Sequence, residues 1–262
     1  MSKIRQASPD RDTAAEPAIR TLAEDYPAGF LIPAHAHRRD QLVHATRGVM
    51  TVTAAGSTWV VPPRRGVWIP AGVEHDIATS GMVEMRTLYL RRGLARHLGE
   101  ACAVVHVSAL LEELILEACR IGDLESDDRR ERHLIDVIVD QVRTIKMVPL
   151  QLPDPRDARA LKVAHAILAY PEPGSLEDLC RYAGASRRTV ERLFRAEVGM
   201  GLGRWRQQAR LMHGMRLLAQ GAKVSHAALE AGYATPSAFI AMFRKALGVT
   251  PTECFPPNPR SS

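Results

Sequence analysis

The spacing of apolar positions changes period along this chain. Over about residues 26–92, short runs rich in β-branched residues recur between Gly and Pro, as in Gly48-Val-Met-Thr-Val-Thr, Thr58-Trp-Val-Val and Met85-Arg-Thr-Leu-Tyr-Leu. Residues of this kind suit a pleated, half-buried surface, so the pattern predicts a small antiparallel barrel or sandwich. The period then lengthens. Leucines at 110, 111 and 114, followed by Leu134, Ile138, Val142 and Ile145 at spacings of four, four and three, predict two amphipathic helices. These either cover an open face of the sheet or pair with a second subunit. Three prolines within 147–157 disfavour helix and remove backbone donors, and this segment reads as a linker.

Beyond the linker the sequence repeats itself. At an offset of 49, Phe194-Arg195 aligns with Phe243-Arg244, Gly199 with Gly248 and Ser186 with Thr235, the mark of a duplicated helical unit. In the first copy, 176–183 reads as a helix, Gly184-Ala-Ser as a tight turn and 187–197 as a second helix capped by Ser186. In the second, 224–231 is the scaffold helix, Gly232-Tyr-Ala the turn and 236–247 the following helix, with Thr235 as cap and Pro at the first helical position. Both copies have helix-turn-helix spacing. Between them 202–220 is one amphipathic stretch, with Trp205, Ala209, Met212 and Met215 on one side and Arg204, Arg206 and Arg210 elsewhere. At 1.5 Å per residue it spans roughly 28 Å, close to the ~34 Å between successive major grooves on one face of B-DNA.

Charge sharpens this division. Residues 1–155 hold 19 Lys and Arg against 21 Asp and Glu, whereas 156–262 hold 16 against 8, within a chain whose net charge is +6. A basic excess confined to the duplicated half suits a polyanion-binding module, because cationic side chains gain affinity by displacing counterions from phosphates. The chain is 262 residues long, 46% hydrophobic and 24% charged, which fits one large or two ordinary domains. It has no apolar run near the ~18 residues that a membrane span requires. The polar N-terminus lacks a secretory signal, and Cys102, Cys119, Cys180 and Cys254 form no CxxC pair. A cytoplasmic protein with reduced thiols is expected.

Histidines mark the strand-rich half. Gly29-x5-His35-x-His37-x3-Gln41-x6-Gly48 is followed by Pro70-x-Gly72-x2-His75. On one continuous strand His35, His37 and Gln41 would share a face, with His75 arriving from a facing hairpin. Trp59 and Trp68 are either walls of such a pocket or core, and Arg38, Arg39 and Asp40 flank it. The spacing resembles the two motifs of the cupin superfamily, small β-barrels that often hold a divalent metal through three His and one Glu. Here Gln41 stands at the Glu position, which weakens binding of a hard cation and removes a candidate general base. No cofactor is required by this reading. Zinc or nickel on three imidazoles, a metal-free effector pocket and a purely structural cluster all remain open.

The Ala183-Gly-Ala-Ser turn, Leu193-Phe-Arg, and the run from Ala231-Gly-Tyr-Ala-Thr-Pro-Ser through Phe243-Arg-Lys-Ala-Leu-Gly-Val-Thr-Pro resemble the DNA-binding domain of AraC/XylS-family transcription regulators. Joined to a cupin-like N-terminus, of the arabinose-binding and dimerisation type, the resemblance covers most of the chain. It implies a two-domain α+β protein: a cupin-like antiparallel barrel with trailing helices, then an all-α domain with two helix-turn-helix units. The expected order is an extension over 1–25, the barrel over 26–105, a helical dimerisation or packing segment over 106–146, the linker, the DNA-binding domain over 158–256 and a tail over 257–262.

The resemblance further implies a regulator that binds double-stranded promoter DNA and is gated by a small-molecule effector or a metal. A homodimer is favoured, because two copies suit a symmetric or repeated site, with RNA polymerase as partner for an activator and no membrane association. Arg188, Glu191 and Arg192 match the family positions that reach the major groove, with Arg187 and Arg195 beside them. Arg188 and Arg192 suit guanine O6 and N7, and Glu191 either accepts from a cytosine N4 or pairs with a neighbouring arginine. On the second helix Ser237, Ala238 and Ala241 match the exposed positions, following the Thr235 cap. Many relatives carry Arg where this chain has Ala241, so base reading there rests on hydroxyl and thymine-methyl contacts. Arg244 and Lys245 suit phosphates, and Phe194, Phe239 and Phe243 the core. The alternative is a metal-dependent cupin enzyme with an accessory helical domain.

Overall fold

A computed structural model describes residues 16–125, 127–143, 147–148, 150–169 and 175–256. Among the described residues the first half is one antiparallel sheet of nine strands. These are β1 (Ile19–Tyr26), β2 (Leu31–His35), β3 (Asp40–Ala54), β4 (Ser57–Val61), β5 (Arg65–Ile69), β6 (His75–Leu90), β7 (Ala103–His106), β8 (Met147–Val148) and β9 (Gln151–Pro153).

The long strands β3 and β6 pair from Asp40↔Leu90 to Ala54↔His75, with register slips between Ala45 and Val49. A bulge that inserts one residue exchanges the faces of a strand. Accordingly Val43 and Ala45 enter the inner cluster before the slips, and Met50, Val52 and Ala54 after them. The bulge divides the sheet into two halves, with β1, β5 and β7 against one end of the β3–β6 pair and β2 and β4 against the other. Gly48 serves the bend because its φ is +80° and a Cβ there would strike the Met82 carbonyl.

The outer face of the first half-sheet carries Leu42, Trp68, Leu88 and Leu90. Helices α1 (Ala109–Ile121) and α2 (Arg129–Arg143) cover it with Leu111, Ile115, Ile135, Ile138 and Val142. Of the two roles open to these helices, covering the sheet is the one displayed, while Ile145 lies outside the described residues.

Two expected boundaries shift. The extension expected over 1–25 includes most of β1, because Ile19 is fully buried and pairs with both Leu90 and Leu124. Its residues 1–15, like the tail over 257–262, lie outside the described residues. The segment read as a linker supplies β8 and β9, which add to β7 and β4. Its prolines do not prevent this, since an edge strand tolerates a missing donor and Pro153 ends such a strand.

The second half contains α3 (Ala158–Ala169), α4 (Leu176–Tyr182), α5 (Arg187–Val198), α6 (Leu202–Ala219), α7 (Val224–Glu230), α8 (Pro236–Leu247) and α9 (Pro251–Cys254). α5 and α8 match at the expected offset, and each is capped by a hydroxyl that accepts the N–H three residues on: Ser186 from Thr189, Thr235 from Ala238. Both end on a left-handed glycine, Gly199 or Gly248. The scaffold helices α4 and α7 instead match one residue closer, because the second turn is one residue longer.

α6 has 18 residues, about 27 Å, and buries Trp205, Ala209, Met212 and Met215. It also lies against the sheet. The Trp205 indole N–H donates to the Pro153 carbonyl at 2.9 Å, the Gln208 amide to Gln151 at 2.6 Å, and the Gly81 backbone packs on the Ala219 carbonyl so closely that a Cβ would collide. One buried cluster runs from the sheet into the helices. Among the described residues no helix is long and apolar enough to cross a membrane.

Candidate nucleic-acid interface and ligand pocket

The structure brings His35, His37, Gln41 and His75 together, though not on one strand. His35 ends β2 opposite His75 at the start of β6, while Gln41 lies on β3 opposite Tyr89 and His37 sits in the intervening loop. Ring centroids are 4.4 Å apart for His35 and His75, 5.1 Å for His37 and His75, and 6.1 Å for His35 and His37. Tyr89 meets His37 edge-on at 5.2 Å. The sequence reading missed Tyr89; its signal is parity with Met85, which faces the inner cluster.

Backbone carbonyls hold the rings. Pro33, Arg39 and Val73 face the Nδ1 atoms of His35, His37 and His75 at 2.9, 2.6 and 2.9 Å. His37 Nε2 lies 2.7 Å from Gln41 Oε1. His75 is 1% exposed with Nε2 unpartnered, and burial, aided by the neighbouring imidazoles, pushes its pKa down to about 4. Burial pushes Tyr89 up to about 12. The result is a cluster of hydrogen-bonding groups, buried at Gln41 and His75 and half-buried at His35 and His37, beside an open cleft of about 390 Å³ lined by Thr53, Val73, Glu74 and Asp76.

Three imidazoles are the right chemistry for zinc or nickel, but His37 turns its second nitrogen to Gln41. Among the described residues no group of three or more His, Cys, Asp or Glu is arranged to hold a metal ion.

Trp59 and Trp68 are core residues on the inner cluster and the helix-covered face respectively. Arg38 is exposed, whereas Arg39 is 1% exposed and donates to the Glu16 carboxylate and the Pro17 carbonyl, both at 2.8 Å. Asp40 accepts the Ala71 N–H.

In the helical half, Arg187, Arg188, Arg192 and Arg195 are exposed on α5, as are Thr235, Ser237, Ala238, Ala241, Arg244 and Lys245 at α8. Phe194, Phe239 and Phe243 are fully buried. Several of the α5 charges are engaged within the protein. Arg187 is paired with Glu177 on α4. Glu191 is half-buried, its carboxylate accepting the Leu202 N–H at 3.2 Å and pairing with Arg195 at 3.3 Å. Of the two roles open to Glu191, bonding within the protein is the one displayed. Arg188 and Arg192 are exposed and lie one turn apart. On α8 a cleft of about 520 Å³ runs past Ser237, Ile240, Ala241, Arg244, Lys245 and Thr250, with cations at one end and small or apolar groups along the rest.

A curled sheet with a polar pocket, followed by a basic duplicated helix-turn-helix, defines a two-domain DNA-binding regulator. Residues 16–141 match the family model of the AraC-like ligand binding domain and 179–255 that of a helix-turn-helix domain. The chain is 32% identical over 220 residues to the HTH-type transcriptional regulator NimR of Escherichia coli K12, covering 84% of this chain and 80% of that protein. It therefore belongs to the AraC-type helix-turn-helix transcriptional regulators, and is a regulator rather than an enzyme. Among solved structures, the DNA-binding domain of AdpA in complex with a target DNA is 30% identical, covering 38% of this chain and 88% of that one, with a TM-score of 0.34. Unsaturated fatty acid-bound ToxT from Vibrio cholerae is 12% identical over 93% of this chain and 96% of that one, with a TM-score of 0.36.

Proposed function

We propose that this regulator reads two successive major grooves of promoter DNA, α5 in one and α8 in the next, under the control of a small molecule bound at the histidine pocket. The observation that carries the reading is the pair of equivalent helices, capped alike, exposed alike and joined by one rod of about 27 Å. Arg188 and Arg192 give α5 two guanine readers, with Arg187, Glu191 and Arg195 buttressing them. On α8, Ser237, Ala238 and Ala241 offer a hydroxyl and methyl surface, and Arg244 and Lys245 hold phosphates. α5 therefore supplies most of the sequence preference and α8 most of the register.

The pocket suits an uncharged or hydrogen-bonding organic effector, because His75 is held neutral and Gln41 brings no charge. Zinc or nickel is a second candidate effector, and binding it requires His37 to leave Gln41. Two copies of the chain on paired sites, and contact with RNA polymerase in the case of activation, complete the reading.

The test is selection of genomic duplexes by the purified chain at moderate salt, followed by footprinting and by substitution. Protection of two adjacent grooves is expected. Arg188→Ala should cost about 1–3 kcal/mol at the selected site and relax preference at one base pair, while Lys245→Ala should weaken all sequences equally and lower the salt slope by about 1. Equal, sequence-independent losses from both would refute the assignment of base reading to α5.

A further inference from the structure

The turn ahead of β5 does something the helix-turn-helix grammar does not account for. Arg65 N–H closes a turn on the Pro62 carbonyl at 3.2 Å, with Arg64 at φ +60°, a conformation that usually falls to glycine at this turn position. That strained turn aims Arg65 out of the sheet domain and into the helical one. Arg65 is 7% exposed, and its Nη2 donates to the carbonyl of Leu247, the last residue of α8, at 2.5 Å. Its Nη1 donates to the Arg64 carbonyl and faces His106 Nδ1, both at 2.8 Å.

No ion pair joins this buried guanidinium to a carboxylate among the described residues. The negative end of α8, where carbonyls lack partners, supplies the compensating partial charge. The backbone of Arg65 is held in turn. Its carbonyl faces Nδ1 of the fully buried His44 at 2.9 Å, and His44 Nε2 lies 3.6 Å from Glu112 Oε2 on α1. The turn also rests on the last helix, with Cys254 Sγ 4.0 Å from the Pro63 carbonyl.

We infer that Arg65 is a positioning residue for DNA recognition: it ties the C-terminus of the second recognition helix to the ligand-binding domain and holds α8 at the angle that lets it enter its groove. The inference rests on the two-groove reading. α5 is held by a different contact, its Glu197 carboxylate accepting the Arg156 and Asp157 N–H groups at 2.6 and 3.0 Å, so its groove is independent of Arg65. The route from Glu112 through His44 to Arg65 makes the tie sensitive to how α1 sits on the sheet.

The test compares the full-length wild type with Arg65→Met and Arg65→Lys on a duplex selected by the wild type. Methionine fills the volume without a buried charge, which offsets part of the lost hydrogen bonding, so Arg65→Met should still fold. It should need about ten-fold more protein to protect the α8 groove while protecting the α5 groove at the wild-type concentration. Without DNA, amide exchange should quicken in the last turn of α8 and stay unchanged in α5. Arg65→Lys, which keeps one donor for Leu247, should recover part of both effects.

Wild-type protection of a single groove would overturn the two-groove reading and with it this role. Two protected grooves in the wild type, with Arg65→Met unchanged in both or weakened equally in both, would overturn the role of Arg65 alone.

Discussion

Glu191 matches a position from which the family reaches bases, yet its carboxylate sits at the start of α6. A helix begins with four N–H groups that no carbonyl within it can accept. The residue before α6 is Gly201, which has no side chain to cap them, and Glu191 Oε2 takes the first of them, from Leu202. A Cβ on Gly201 would press on Glu191 Oε1, so the glycine makes room for the brace. Losing a capping acceptor costs about 1 kcal/mol and losing an anion near a helix N-terminus about 0.3–1 kcal/mol. The pair with the exposed Arg195 adds no more than about 0.5 kcal/mol. Glu191→Ala should therefore destabilise the helical domain by about 1–2 kcal/mol, and Glu191→Gln, which keeps an acceptor oxygen, by about half as much. Urea unfolding followed by the fluorescence of Trp205, buried on α6, measures this directly. Selection of random duplexes by the variant then shows whether a base preference has changed. Unchanged stability together with relaxed preference at one base pair would refute the brace and return Glu191 to base reading.

Other expectations follow from the pocket and from α8. Burial holds His75 near pKa 4 against an ordinary 6.5, so the unfolded chain takes the proton first. Its stabilising contribution is complete above pH 6.5 and is lost as pH falls to about 4, by at most about 3 kcal/mol. His75→Gln should flatten the dependence of stability on pH across that window, and parallel curves for variant and wild type would contradict the burial. Gln41→Glu supplies the anionic group that the chain lacks beside three imidazoles and should tighten zinc or nickel binding by about ten-fold or more in calorimetric titration. Equal affinities would show that these side chains do not converge on a shared ion. On DNA, replacing thymine by uracil in the α8 groove removes only a methyl group and should weaken binding by several-fold. No change there would mean that Ala238 and Ala241 touch no base.

Much of the helical half is legible because its signals are local. Caps at Ser186 and Thr235 and the glycines after α5 and α8 depend on neighbours a few positions away, the 49-residue offset repeats them, and the structure carries each of them. The sheet half is less so, since its faces depend on pairing across the chain. Parity places His35, His37 and Gln41 on one face of a single strand, whereas they meet because β2 and β3 both pair with β6. The prolines at 149, 153 and 155 suggest a linker to any local rule, and the open edge of β4 recruits the segment regardless. Arg65 had no signal at all. An arginine after two prolines and another arginine looks like surface, and only the approach of a helix end 182 residues away explains its burial.

The pocket and the helical domain share a strand, which gives effector control a physical route. His75 begins β6 and Gly81 lies six residues further on, about 20 Å along an extended chain. At Gly81 the backbone packs directly on the C-terminal end of α6, the rod between α5 and α8. Close-packed contacts of this kind do not yield gradually, so a ligand that resets β2 against β6 moves α6 or leaves it where it is. Control still requires unequal affinity of the ligand for the two arrangements. The polar cluster provides a source of that inequality: His75 Nε2 is buried without a partner, and a ligand that donates a hydrogen bond to it stabilises the arrangement in which the two meet. Such coupling is reciprocal, so under the proposed reading DNA along α5 and α8 changes the affinity of the pocket by the factor with which the ligand changes the affinity for DNA.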